Sequence, residues 1–123
     1  MTSVVVSVSV EGFHRWSGAP QEVSFLRAPH RHNFYFLVEI DVSHLGPDRG
    51  VEFFLLQQEV RSMIKDGPGY SEDFPEAVDF GEMSCEMIAH KLNELLKILS
   101  YRVVRVEVWE DRENGAIVKN VDN

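Results

Sequence analysis

Residues 30 to 42 read His30-Arg31-His32-Asn33-Phe34-Tyr35-Phe36-Leu37-Val38-Glu39-Ile40-Asp41-Val42. Side chains of a strand alternate between its faces, so His30, His32, Phe34, Phe36, Val38, Ile40 and Val42 point the same way. That face carries two imidazoles at i and i+2, close enough to reach one metal ion. Upstream, Val4, Val6, Val8 and Val10 alternate with small polar residues and predict a strand running to about His14. The intervening stretch holds Ser17-Gly18-Ala19-Pro20 and Ala28-Pro29 and reads as a loop-rich excursion. If the two strands pair across it, His14 approaches His30 and His32. Three neutral imidazoles at about 2.0–2.1 Å with an open fourth position describe a catalytic zinc site. Such a site polarises a bound oxygen as a Lewis acid. The spacing alone leaves open that these are surface or hydrogen-bonded histidines. His44, in a turn, and His90, off the apolar stripe of its helix, are expected at the surface.

Downstream, Gly46-Pro47-Asp48 marks a turn within residues 43 to 50. Phe53, Leu56, Val60, Met63 and Ile64 predict an amphipathic helix over about 53–65, ended by Gly67-Pro68-Gly69. Residues 66 to 81 read as loop. Ile88, Leu92, Leu95, Leu96 and Leu99 form the stripe of a second helix over about 83–99, with Ser84 as its N-terminal cap. Val104, Val106, Val108 and Glu110 share a face of a third strand, and Asn114-Gly115 signals the turn into a fourth. The fold class is α+β: a four-stranded antiparallel sheet with two helices on one face, ordered β-β-α-α-β-β, in a single domain over residues 1–123. Its exposed edges invite pairing with other subunits.

The chain has 123 residues and a net charge of −8, which argues against nucleic acid or an anionic membrane as partner. An acidic average leaves a local basic pocket, and with it a phosphorylated metabolite, open. Cys85 is the single cysteine, so no internal disulfide forms and a reducing cytoplasm is expected. The N-terminus has no positive leader, and no apolar run approaches the roughly 20 residues that span a bilayer.

Taken together, the segments resemble the 6-pyruvoyl/6-carboxytetrahydropterin synthase family. His14-Arg15-Trp16 is similar to the family's H-R-L, and His30-Arg31-His32-Asn33-Phe34 to H-G-H-N-Y. Gly50-Val51-Glu52-Phe53 resembles G-x-V-x-D-F, and Met83-Ser84-Cys85-Glu86-Met87 resembles P-T-[SA]-E-N. Val106-Glu107-Val108-Trp109-Glu110-Asp111 resembles V-x-V-x-E-T. The matches keep the family's order over about residues 4–118. The resemblance implies a tunnelling fold, in which subunits of a homo-oligomer, a hexamer, join their sheets into a barrel. It implies zinc on His14, His30 and His32, and Glu110 as the anchor of a pterin ring. A carboxylate suits that role, accepting paired N–H bonds from the ring's 2-amino group and N3. Read without the family, Glu110 is a solvated carboxylate at a hairpin end. The implied activity is a lyase on 7,8-dihydroneopterin triphosphate. A base moves protons, triphosphate is eliminated, and a pyruvoyl or carboxyl product forms, the carboxyl one with loss of acetaldehyde. The carboxyl product belongs to the making of 7-deazaguanine bases such as queuosine.

The sequence departs from the family where catalysis is concerned. The usual cysteine stands four residues before H-G-H, and that position here is Leu26. Cys85 belongs to the second helix's opening and reads as a small packed residue. The L-D-H-x-x-L-N segment is not evident between residues 66 and 80. A related subclass uses glutamate in place of cysteine, which makes Glu22 a candidate base in the same loop; Asp73 and Asp79 are further candidates. Arg31, where the family has glycine, either steers a phosphate or faces away on the strand. Three readings follow: the lyase, an altered enzyme that cleaves the pterin side chain as an aldolase does, and a binding or assembly protein without catalysis.

Overall fold

The computed structural model describes residues 1–66 and 77–121. The Gly67-Pro68-Gly69 helix stop, most of the expected 66–81 loop and Asp73 lie outside the described residues. The elements are β1 (Ser3–His14), β2 (His30–Asp41), α1 (Phe53–Asp66), β3 (Val78–Asp79), α2 (Cys85–Ile98), β4 (Val103–Glu110) and β5 (Asn114–Lys119). A 3-10 helical segment, Gln21–Arg27, occupies the excursion between β1 and β2. The class is α+β, as expected, but among the described residues the sheet has five strands, ordered β3-β1-β2-β4-β5. The extra strand, β3, is two residues long and pairs parallel to β1 through Gly12↔Val78 and Phe13↔Asp79. A pair this short carries no alternation to read, so the expected 66–81 loop was too long at its end.

Alternation on β1, β2 and β4 sets the core. Val6 faces Val38, which faces Val106, and Val8, Phe36 and Val108 align likewise one step along. All are at most 5% exposed, and Leu56, Val60, Ile64, Ile88, Leu92 and Leu96 from the two helices close over them in one apolar cluster. Helix α1 packs over β1, and α2 packs over β4 and β5. Each large side chain so buried contributes about 1.5–3 kcal/mol. Ser84 caps α2 as expected, its hydroxyl accepting from the Met87 N–H at 3.2 Å. Glu52 caps α1, its carboxylate accepting from the Phe54 and Leu55 N–H groups at 2.8 and 3.3 Å.

Four expectations are corrected. Phe53 begins α1 but is 57% exposed, outside the stripe. Leu99 follows α2 as its C-terminal cap and is exposed. Arg105 pairs with Glu39 but Val103 with Ile40, so Val104 is an extra, bulged residue. The bulge shifts the parity and puts Val103, not Val104, in the core. Finally, Asn114-Gly115 is not the turn: both residues already pair with Glu110 and Trp109. The turn is residues 111–113, with Asp111 and Arg112 at φ of 52° and 59°. Gly115 is required for another reason, since a Cβ there would lie 2.6 Å from both the Trp109 ring and the Val108 carbonyl. Among the described residues no helix is long and apolar enough to cross a membrane.

Candidate metal centre and adjoining cavity

The register of β1 and β2 builds the centre. His14 lies opposite His30, and Gly12 opposite His32, so all three histidines emerge on the core side of the sheet's end. Ring centroids are 4.5 Å apart for His14–His30, 5.3 Å for His14–His32 and 5.1 Å for His30–His32. One ring nitrogen from each lies within 4.8 Å of the others, the spread that one ion draws together. His14 is buried and the other two are half-buried, while His44 and His90 are exposed as expected. Phe34 forms the floor, its ring 5.3 Å from His14 and 5.7 Å from His32. Gly12 leaves room for that floor: a Cβ there would sit 2.7 Å from Phe80 and 3.0 Å from Phe34.

Each imidazole is held from behind. Nδ1 of His14 donates to the Met83 carbonyl at 2.9 Å, and Nδ1 of His30 to the Ala28 carbonyl at 3.0 Å. Nδ1 of His32 donates to Asp111 Oδ2 at 2.7 Å. Carbonyl and carboxylate oxygens only accept, so the Nδ1 atoms carry protons and the Nε2 atoms are left as ligands. Nε2 of His32 is buried without a hydrogen-bond partner. A buried polar atom in that state is costly, and a cation among the three rings relieves it. The residues therefore fit a three-histidine metal site, and imidazole suits zinc.

Glu110 reaches the same place from β4. Its Oε1 is 3.2 Å from His14 Nε2 and its Oε2 is 3.5 Å from His32 Nε2. The contact with His14 holds the Glu110 carboxyl below the usual range, against the opposing effect of burial. Burial acts to lower the His14 value, but Glu110 and the Met83 carbonyl outweigh it and the net direction is upward. The Cys85 thiol donates to Glu110 Oε1 at 3.3 Å. Burial first, then the Glu110 charge, raises its pKa far above the usual thiol range, so it is a neutral donor and no nucleophile.

On one side the centre adjoins a cavity of about 510 Å³. Its wall includes His14, His30, Glu110 and Cys85, with Trp16, Leu26 and Met87 as apolar surface. Leu26, in the place of the family's cysteine, thus faces the cavity. Glu22 is exposed and is not among the lining residues, so in the single chain it lacks the reach a base needs. Asp79 is also outside the lining, and its carboxylate accepts from the Gly81 N–H at 2.8 Å. Arg31 faces away, paired with Glu11 and 5.6 Å over the Phe13 ring.

Sequence reasoning missed Asp111 and undervalued Cys85. Asp111 stands where the resembling motif has threonine, which was the available signal. Asp111 also accepts from the Asn33 N–H at 2.9 Å, and its own N–H donates to the Asn33 carbonyl at 2.8 Å. The hairpin turn is thereby fastened behind His32. Asp111→Asn is expected to weaken zinc binding about 10- to 100-fold, as loss of such a partner does. Competition with a chelating dye measures it, and unchanged affinity removes Asp111 from the centre.

No family model and no curated protein matches the sequence. Solved structures do. The chain is similar to 6-pyruvoyl tetrahydropterin synthase of Caenorhabditis elegans, with TM-score 0.64 and 16% identity over 97% of this chain and 95% of that one. The enzyme of the same name from Plasmodium vivax gives TM-score 0.53 and 19% identity over 98% and 99%. An uncharacterised Wolinella succinogenes protein gives 0.53 and 16% over 97% and 98%. Identities this low establish a shared fold across nearly the whole chain.

Proposed function

We propose that this chain is a zinc-dependent enzyme acting on the hydroxylated side chain of a reduced pterin. The observation that carries the reading is the set of three histidines, each fixed through Nδ1, whose free nitrogens meet beside Glu110 at the mouth of the cavity. The fold shared with 6-pyruvoyl tetrahydropterin synthases supports the substrate class. His14, His30 and His32 hold the metal. When bound, zinc supplies Lewis-acid polarisation of a substrate oxygen. Glu110, kept ionised, accepts the N–H edge of the pterin, and the Cys85 thiol holds that carboxylate in place. Trp16, Leu26 and Met87 give the flat heterocycle an apolar wall, and a cavity of this size suits a small bicyclic ligand. The enzyme is taken to be one domain over residues 1–123, cytoplasmic, and a homo-oligomer, hexameric by analogy with the family, whose sheets pair at their edges.

Two reactions fit. One is elimination of triphosphate from 7,8-dihydroneopterin triphosphate, with uptake of water and loss of the two distal side-chain carbons as acetaldehyde, to give 6-carboxytetrahydropterin, the precursor of 7-deazaguanine bases. The other is cleavage of the unphosphorylated side chain with loss of an aldehyde, favoured by Leu26 where a base would stand. Zinc-loaded protein is incubated with each substrate and the products identified by mass. A new pterin from either substrate supports the reading and names the reaction; no product from a zinc-filled sample makes the chain a binding or assembly protein. One of the Plasmodium vivax structures is of a variant in which a catalytic glutamate is replaced by alanine. Glu22→Gln tests the corresponding idea here. Lost turnover with zinc retained would assign Glu22 as base, with its approach supplied by assembly, and unchanged turnover removes it.

A further inference from the structure

Charge in the cavity bears on which pterin enters. Three carboxylates line it, those of Glu82, Glu86 and Glu110, against a single guanidinium, that of Arg15. Arg15 is already committed, its Nε lying 2.7 Å from Glu82 Oε2. Glu82 is in turn fixed by the Ser17 N–H and hydroxyl at 2.9 and 2.7 Å, which hold its carboxyl below the usual range together with Arg15. The opening of α2 is the other place where an anion could settle, because helix N-termini offer free N–H groups. Here Ser84 takes the Met87 N–H, and Glu86 sets a carboxylate in the first turn. Arg31 is turned to the far side of the sheet, on Glu11.

A polyphosphate would add several negative charges to this wall, where the described lining residues offer no lysine or arginine beyond Arg15 and the zinc is reserved for the side-chain oxygens. Phosphate recognition relies on arginine, lysine or unoccupied backbone N–H groups. We infer that the cavity selects a ring carrying an uncharged, hydroxylated side chain and rejects one carrying a polyphosphate. The Arg15–Glu82–Ser17 cluster and Glu86 are the specificity-determining groups. This rests on the pterin reading above and narrows it to the unphosphorylated substrate.

The test is binding of neopterin and of neopterin triphosphate to the zinc-loaded full-length protein, by calorimetry at low salt. Oxidised pterins avoid turnover. Neopterin is expected to bind at least tenfold more tightly, with the ratio shrinking as salt screens the carboxylates. Glu82→Gln removes a negative charge and frees Arg15, and should move the ratio several-fold toward the triphosphate. Glu86→Gln, which leaves the Arg15 cluster whole, should move it the same way by less. A gain in triphosphate binding cannot come from misfolding. Triphosphate binding as tight as neopterin in the parent protein, or a ratio unmoved in both variants, overturns the inference and leaves the pterin reading standing. Failure of both ligands to bind overturns the pterin reading itself, and the inference with it.

Discussion

Replacing His32 with alanine is expected to lower zinc affinity on the order of a hundred- to a thousandfold. The estimate shares a binding free energy on the order of 10 kcal/mol among three protein ligands. His32 is the informative choice because its Nε2 is buried with no hydrogen-bond partner, while Asp111 holds the ring from the other side. His44→Ala and His90→Ala, on exposed histidines away from the centre, should leave affinity unchanged. The same titration has a predictable pH dependence. Zinc must displace the proton that Glu110 favours on His14, and the His14 pKa is raised. Affinity should therefore fall as pH drops, beginning above the ordinary histidine range. Metal content measured by emission spectroscopy after dialysis decides the matter. One zinc retained per chain in His32→Ala would exclude the three-histidine centre.

Phe34→Ala is expected to cost about 3–5 kcal/mol of stability, the usual penalty for emptying a buried aromatic site. Against a total on the order of 5–15 kcal/mol for a domain, that is a large share. Phe34 has no exposed surface and touches the rings of His14, His32 and Phe80. Zinc affinity should fall with it, because the histidine rings lose the surface they lean on. Phe36→Ala, two residues further into the core, provides the contrast. Its ring is buried and meets Phe80 at 6.3 Å, so stability should drop by a similar amount while the folded fraction binds zinc normally. Urea unfolding gives the stabilities and dye competition the affinities. Equal zinc affinity in both variants would show that Phe34 supports the fold and not the centre.

Much of this was legible in the chain. The valines of β1 and the thirteen residues from His30 to Val42 repeat their pattern every second position. Burial follows that period because side chains of a strand alternate. Two strands of that kind, antiparallel across a short excursion, bring His14 beside His30 without any knowledge of the helices. The apolar stripes of α1 and α2 and the Ser84 cap are likewise local, each readable within a few turns.

What escaped has a different physical origin. Val104 bulges because β4 must match β2 on one side and β5 on the other, a condition no single strand records. Gly115 has the form of a turn residue but is needed for the approach of Trp109 from the neighbouring strand. Asp111 meets His32 across 79 positions, and Cys85 meets Glu110 across 25. Those contacts exist only once α2 lies over β4 and the hairpin turn closes on the start of β2. By itself the sequence determined the four long strands, the two helices, the core face of β1 and β2 and the three metal-ligand candidates, because these follow from local periodicity. The tertiary structure alone decided which groups stand behind and beside the histidines, and that the cavity is acidic, because those depend on where distant segments meet.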